Sequence, residues 1–472
     1  MSFPCYPEHK ESGFERLGLV PIDWDLHSLK RSVEGCVNGI WGEEADGEND
    51  LAVIRVADFQ RSKLRIGTKK LTYRSITDKE KEARKLRVGD LLIEKSGGGD
   101  KTLVGCVVLF EHDFGAVSSN FVARMRPLPN FDSNFLCYAF DSLYKGRVNY
   151  PSIKQTTGIQ NLDSESYLQE RFCFPSLTEQ TQIAHFLDHE TAKIDTLIHE
   201  QKRLIELLKE KRQAVISHAV TKGLNPDVPM KDSGVEWLGD VPAHWQISKL
   251  SHYANLLTGF PFPSSSFSQD DSDVRLLRGA NVGVSILKWE DTVYWDLNKD
   301  DSLSKYEMSE DQIVIGMDRP WIGGGLRIAR VTKKDMPCLL LQRVAAITAT
   351  EFLDDNYLFN ILQSAAFKTY VEPDLTGVSI PHLSPEQILG FTVPIPPTQE
   401  QILIFNHINE QIERNGDLLD QAKVSTRLLE ERRAALISAA VTGKIDVRSW
   451  QPPVDVSAFD EEMHQAGMKV TA

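Results

Sequence analysis

The stretch Gly13-Phe14-Glu15-Arg16-Leu17-Gly18-Leu19-Val20-Pro21-Ile22-Asp23-Trp24 returns as Gly234-Val235-Glu236-Trp237-Leu238-Gly239-Asp240-Val241-Pro242-Ala243-His244-Trp245, displaced by 221 positions. A second stretch, Lys211-Arg212-Gln213-Ala214-Val215-Ile216-Ser217-His218-Ala219-Val220-Thr221, returns as Arg432-Arg433-Ala434-Ala435-Leu436-Ile437-Ser438-Ala439-Ala440-Val441-Thr442 at the same displacement. One shared offset describes a single long duplication. A duplicated chain builds two similar bodies related by a pseudo-two-fold axis. Such a molecule suits a target with two halves, of which duplex DNA is the commonest.

Each repeat contains a mixed segment followed by a long helix. In the first, residues 51–56, 90–94, 104–110 and 120–125 read as strands and 134–143 as a helix. In the second, 311–315, 326–331 and 339–347 are strand-like and 355–364 helix-like. Helix starts are marked by Ser176-Leu177-Thr178-Glu179, which fits a capping box, and by Pro396-Pro397-Thr398-Gln399-Glu400-Gln401. No proline or glycine then interrupts 178–222, and only Gly416 interrupts 398–442.

Both helices carry heptad spacing. Ile183, Leu187, Glu190, Ile194, Leu197, Gln201, Leu204, Leu208, Lys211 and Val215 step by alternating four and three. Phe405, Ile408, Ile412, Asn415, Leu419, Ala422, Thr426, Leu429, Arg433, Leu436 and Ala440 do the same. Two such helices in one chain most simply pair antiparallel. About 44 residues at ~1.5 Å rise span about 66 Å, more than the roughly 34 Å turn of B-DNA. The expected fold is therefore mixed α/β (α+β). Two similar globular domains are separated by two long antiparallel coiled-coil helices, with a pseudo-two-fold internal repeat. The expected divisions are 1–12 as a flexible N-terminus, 13–175 as the first domain and 176–222 as the first spacer helix. A linker at 223–234, the second domain at 235–395, the second spacer helix at 396–444 and a tail at 445–472 complete the chain.

Composition is that of an ordinary globular protein, 41% hydrophobic and 25% charged. No run approaches the roughly 18 apolar residues of a membrane helix, and the N-terminal residues lack a signal-peptide pattern. The six cysteines show no metal-type spacing, so reduced thiols in a cytoplasm are expected. The net charge of −14 opposes phosphate binding when taken alone. Its distribution softens that. Between Arg61 and Arg87 there are eleven Lys/Arg against three acids, and between Arg319 and Arg343 six against one.

Catalytic motifs are missing. Gly97-Gly98-Gly99-Asp100-Lys101-Thr102 resembles half of a phosphate loop, but Asp100 stands where a glycine must precede the lysine. There is no His-Glu-x-x-His, no Gly-x-Ser-x-Gly, no Gly-x-Gly-x-x-Gly after a strand, and no Asn/Asp-Pro-Pro-Tyr/Phe. The chain reads as a reader or scaffold, with no metal site and no catalytic residue.

Matched loops supply the candidate reading surface. Lys154, Gln155, Thr156, Thr157, Gly158, Gln160 and Asn161 near the end of the first domain answer to Thr376, Gly377, Ser379 and His382 in the second. Glycine permits close backbone approach, and glutamine or asparagine can pair two-pronged with adenine. Glycine-rich loops after a strand form a second matched pair, offering Lys95 and Ser96 in one and Arg319 and Trp321 in the other. Lys69, Lys70 and Arg74 from the first basic stretch, and Arg343 from the second, complete the DNA-binding candidates.

Taken together, the pattern resembles the specificity subunit of type I restriction–modification systems. The resemblance rests on the paired Leu-Gly-x-Val-Pro-x-x-Trp openings (Leu17 to Trp24, Leu238 to Trp245). It rests also on the proline-led, glutamine- and isoleucine-containing approaches to the helices (Pro175 to Ile183, Pro394 to Ile402) and the Ile-Ser-x-Ala-Val-Thr exits (Ile216 to Thr221, Ile437 to Thr442). It implies a non-catalytic cytoplasmic subunit whose two target-recognition domains each read half of a split, asymmetric site in double-stranded DNA. Two methyltransferase subunits would dock on the helices, through Ile183, Leu187, Ile194, Leu204, Leu208, Phe405, Ile412, Leu419, Leu429 and Leu436, and restriction/translocase subunits would join them. S-adenosylmethionine, ATP and Mg²⁺ would be bound by those partners and none by this chain. An acidic net charge departs mildly from that picture and implies that partners supply positive surface. The alternative from another class is a coiled-coil interaction scaffold that never reads bases.

Overall fold

The structure, a computed structural model, describes residues 3–98, 102–156, 158–297, 301–322, 325–375 and 381–452. The chain forms two compact units, the described parts of Met1–Glu200 with Ser425–Ala472, and Gln201–Val424. No helix among the described residues is long and apolar enough to cross a membrane.

In the first unit the strands that position the site are β1 (Val33–Asn38), β2 (Asp50–Ile54), β3 (Thr72–Ser75), β4 (Leu91–Glu94), β5 (Ser96–Gly97), β6 (Val107–Leu109), β7 (Ala116–Ser118), β8 (Val122–Pro127), β9 (Ile153–Thr156) and β10 (Ile159–Leu162). The main sheet runs β1-β8-β4-β6 and continues into two short strands, Arg65–Ile66 and Phe59–Gln60. Its centre, Leu91-Leu92-Ile93, is buried on both faces, so it reads as an apolar run rather than an alternation. Helix α1 (Ser133–Lys145) starts where the Asp132 carboxylate accepts the Phe135 amide at 2.9 Å, and it buries Phe135, Leu136, Phe140 and Leu143. A second sheet, β7-β2-β3, pairs β7 parallel with β2 and β3 antiparallel to it.

The second unit repeats this order. Strands β11 (Ala254–Thr258), β12 (Val274–Leu277), β13 (Ile313–Gly316), β14 (Ile328–Arg330), β15 (Cys338–Leu340) and β16 (Val344–Ala349) build a sheet β11-β16-β13-β14. Beside it β15 runs parallel to β12, as β7 does to β2. The run 339–347, expected as one strand, is two. Its halves enter different sheets, and the turn between them places Arg343 at φ 67°.

The long helices are α2 (Leu177–Lys222) and α4 (Thr398–Val441), with α3 (Asp355–Leu362) before the latter. They explain the repeated motifs. In the first unit Trp24, 1% exposed, shares a core with Ile437, Ala440 and Val441 from the end of α4. Gly443 follows at φ +72°, and a Cβ there would lie 2.3 Å from Pro21 Cδ. In the second unit Trp245, also 1% exposed, packs with Ile216, Ala219 and Val220 from the end of α2, and Gly223 follows at φ +76°. The approach motifs carry a buried glutamine each. Gln180 donates to Pro175 O at 2.9 Å and accepts from Asp132 N at 3.0 Å; Gln401 donates to Pro396 O at 2.8 Å and accepts from Asp354 N at 2.8 Å. Each satisfies backbone groups that burial would otherwise strand.

Three expectations are corrected. Residues 3–12, expected as flexible, belong to the first unit: Tyr6 is buried and donates to Glu179 at 2.6 Å, and His9–Glu11 pairs with Leu19–Pro21. The supposed linker likewise contains Met230–Asp232, paired with Asp240–Pro242. On α2 the seam is displaced by one residue midway: Leu197 and Leu204 are 51% and 40% exposed, whereas Thr191 and Ile198 are buried. The Thr191 hydroxyl lies 3.3 Å from that of Tyr138, so this part of the buried face is polar and packs on the mixed domain. Ile183, Leu187, Ile194 and Leu208 are buried, and Phe405, Ile412, Leu419, Leu429 and Leu436 half-buried. In the first unit Asp195 of α2 pairs with Arg433 of α4 at 2.9 Å. In the second Leu208 and Ile216 share a cavity with Ile412 and Leu419. Within each unit the start of one helix meets the end of the other, as antiparallel pairing requires.

Gly416 stands inside α4 with open space where a Cβ would be. Gly416→Ala should therefore stabilise the chain by about 0.5–1 kcal/mol, whereas Gln401→Ala should cost about 1–3 kcal/mol. Chemical denaturation of both variants checks the two signs.

Candidate nucleic-acid interface

The end of β4 delivers Lys95 and Ser96 to the surface. The Lys95 amide donates to Phe121 O and the Leu162 amide to Lys95 O, each at 2.8 Å, so strand end, turn and hairpin are locked together. β5 then pairs with β10, setting Ser96 opposite Asn161 and Gly97 opposite Gln160. The Lys95 ammonium donates to Asn38 Oδ1 at 2.9 Å, and the Ser96 hydroxyl donates to Asn161 Oδ1. Asn120 sits in the turn closed by Val122 N to Ser119 O at 2.9 Å. Asn38, Gly39, Lys95, Ser96, Asn120 and Asn161 line a cleft of about 390 Å³. Behind it Glu94 is buried and paired with Arg61 at 2.6 Å. Burial lifts its carboxyl above the ordinary range despite the guanidinium.

The second unit builds the same frame. The Met317 amide donates to Arg343 O at 2.9 Å and the Leu383 amide to Met317 O at 2.8 Å, so Met317 stands where Lys95 does and Arg343 where Phe121 does. Asp318 bridges His382 as Ser96 pairs Asn161. Gln342 occupies the place of Asn120, in a turn closed by Val344 N to Leu341 O at 3.2 Å. Here the side chains form an ionic group: Arg343 Nη1 meets Asp318 Oδ2 at 2.6 Å and His382 Nδ1 meets Asp318 Oδ1 at 2.7 Å. Burial raises the Asp318 carboxyl, but these two hydrogen bonds outweigh it and hold it below the usual range. The surface is polar and hydrogen-bonding in both units, with different chemistry at equivalent positions. It can offer donors and acceptors to base edges or phosphates.

The predicted residues separate into groups. Lys95, Ser96 and Asn161 converge on the cleft of the first unit, and Arg343 and His382 converge on the Asp318 carboxylate of the second. Lys154, exposed, pairs with Asp163 at 2.8 Å, and Gln155 is exposed on the β9–β10 hairpin. Gly158 is exposed, with φ +85°. Thr157, Thr376, Gly377 and Ser379 lie outside the described residues, as does the side chain of Thr156. Gln160 is only 4% exposed and its Oε1 accepts the buried Val104 amide at 3.1 Å, which takes it out of the reading set. Trp321 packs on the second core against Phe367, 6.3 Å between ring centroids. Arg319 is exposed, but its place in the frame matches Gly97 and not Lys95. Lys69 and Lys70 are exposed in the turn before β3, and Arg74 lies over the Trp41 ring at 4.9 Å, all on the separate β7-β2-β3 sheet.

Several arginines of the basic stretches are consumed by the fold. Arg65 meets Glu111 at 2.8 Å, Arg327 donates to Val282 O at 2.9 Å, and Arg330 donates to Asp311 O and Asp355 O at 2.8 Å each. Sequence reading missed Asn38, Asn120, Phe121, Asp318 and Gln342. The available signal was Asn120-Phe121-Val122 against Gln342-Arg343-Val344. A one-residue shift to an offset of 222 obscures that match.

No family profile matches the chain. The specificity subunit of the type I restriction enzyme MjaVIII from Methanocaldococcus jannaschii is 28% identical over 316 residues, 66% of this chain and 71% of that one. The specificity subunit of the type I restriction enzyme EcoAI from Escherichia coli is 29% identical over 239 residues, 50% of this chain but only 40% of that one. The fold matches a chain from a structural study of complex assembly and conformational transition in the type I restriction–modification system. The TM-score is 0.65 at 14% identity, over 89% of this chain and 98% of that one. The chain is similar to the type I specificity subunits. The motifs that repeat within the chain include the buried tryptophans, glutamines and helix ends, whereas the side chains at the matched loops differ between its own halves.

Gln160→Ala should cost about 1–3 kcal/mol by stranding the Val104 amide, while Asn161→Ala, on the exposed face, should leave stability within about 0.5 kcal/mol. Denaturation curves of the two variants, run side by side, test this division of labour.

Proposed function

We infer that this chain is the sequence-reading specificity subunit of a type I restriction–modification complex and that it performs no catalysis itself. Each unit reads one half of a bipartite, asymmetric DNA site. The observation that carries the reading is one backbone frame, built twice, with unlike side chains: it presents Lys95, Ser96, Asn120 and Asn161 around a cleft in one unit, and Asp318, Gln342, Arg343 and His382 at the matching loops of the other. A non-reading coiled-coil scaffold has no use for two such surfaces. Likeness to type I specificity subunits in sequence, and to a type I system chain in fold, supports the same conclusion.

The partners follow as part of the proposal. Two methyltransferase subunits dock on α2 and α4, restriction/translocase subunits join them, and the complex works in the cytoplasm. S-adenosylmethionine, ATP and Mg²⁺ belong to those partners. Because the chain is acidic overall and several arginines of its basic stretches are internally paired, partner surfaces supply much of the attraction for phosphate.

Single-molecule sequencing of DNA modification, in cells with and without this chain beside its methyltransferase, tests the reading. A split methylated-adenine motif that disappears with the chain is expected; an unchanged pattern would favour the scaffold. Replacing 13–175 by the matching segment of a relative should alter one half-site and leave the other. The helices act as the spacer, so seven residues inserted in each should add about 10 Å, or about three base pairs of gap at ~3.4 Å each.

A further inference from the structure

Arg343 differs from Arg327 and Arg330 of its own basic stretch in being presented rather than spent. It is the third residue of the turn joining β15 to β16, its backbone is left-handed at φ 67°, and its side chain is 63% exposed. Arg327 and Arg330, in the same basic stretch, donate to backbone carbonyls. Only Nη1 of Arg343 is engaged among the described residues, by Asp318 Oδ2 at 2.6 Å. Asp318 is itself braced on its other oxygen by His382 Nδ1.

This arrangement has two consequences. The guanidinium is fixed in orientation while Nε and Nη2 remain as a parallel pair of donors pointing away from the carboxylate. The Asp318 charge also offsets the Arg343 charge, so the group gains little from a phosphate, whose attraction is Coulombic. A neutral edge with two adjacent acceptors suits such a fork, and in the major groove only guanine, through O6 and N7, provides one. At the equivalent place in the first unit Phe121 is exposed and has no donor at all. A left-handed backbone is unfavourable for any residue but glycine, and Arg343 holds one in this turn.

We propose that Arg343 reads a guanine in the second half-site, with Asp318 and His382 as the residues that position it. The proposal rests on the DNA-reading function inferred above and adds the base, the atom pair and the half to which it applies.

The test uses the full chain assembled with its methyltransferase, and duplexes carrying the modified motif found by sequencing, with every base of both halves varied singly. Arg343→Gly suits the left-handed turn and should keep the melting temperature of the parent. It should lose roughly 10- to 100-fold discrimination for guanine at one position of the second half, with the first half unchanged. Arg343→Lys, a single point charge, should not restore it. Asp318→Ala should relax the same position, and Asp318→Asn, which keeps an acceptor for Nη1, should recover part of it; a merely structural role would not show that base-specific rescue. Equal weakening on all sequences would make Arg343 a phosphate contact and overturn the proposal, as would an unchanged preference. A parent complex with no bipartite motif would overturn the inferred function as well, which separates the two failures.

Discussion

The burial of one tryptophan at the opening of each repeat against the end of a long helix is the constraint on which the rest depends. Trp24 and Trp245 are large, fully enclosed, and each completes a core that the mixed domain alone would leave open. Truncating such a side chain costs about 3–5 kcal/mol, a large share of the net stability of a domain. The partner of Trp24 is the end of α4, more than 400 residues away in the chain, so the first unit is complete only when the whole sequence has folded back on it. The glycines after each helix, Gly443 and Gly223, let the chain leave in the left-handed conformation with the tryptophan close by.

On this shared frame the side chains of the two matched surfaces have diverged. Backbone hydrogen bonds hold Lys95, Phe121 and Leu162 as they hold Met317, Arg343 and Leu383, so the positions offered to a ligand are the same in both units. The side chains are not. One unit presents a lysine among amides and a hydroxyl; the other presents an arginine, a carboxylate and a histidine. A rigid scaffold with variable loop residues is the usual way to change recognition without changing fold.

The duplication, the two long helices and most central strands were legible in the sequence because each depends on local pattern: apolar runs, caps and heptads. What failed depended on tertiary context. Leu197 and Leu204 look like seam residues but are exposed, whereas Ile198 and Thr191, the latter against the Tyr138 hydroxyl of the mixed domain, are buried. Gln160 looks like a reader until its oxygen is found on the Val104 amide. Much of the excess of Lys and Arg in 61–87 and 319–343 reads as phosphate-binding surface, yet Arg61, Arg65, Arg327 and Arg330 serve the fold. The clefts were half visible. Lys95, Ser96, Asn161 and His382 could be chosen from matched loops and Arg343 from a basic stretch, whereas Asn120 and Gln342 are matched at an offset of 222, one residue more than the 221 of the repeat's ends.

The measurement that tests the central claim most directly is site-specific photo-crosslinking. A photoreactive residue is placed at Asn161 or at His382, in the full chain with its methyltransferase, on a duplex bearing the modified motif. Crosslinks from position 161 should map to bases of one half-site and those from position 382 to bases of the other. Crosslinks from both positions to the same half, or to no base at all, would contradict the account of one duplicated scaffold carrying two separate readers.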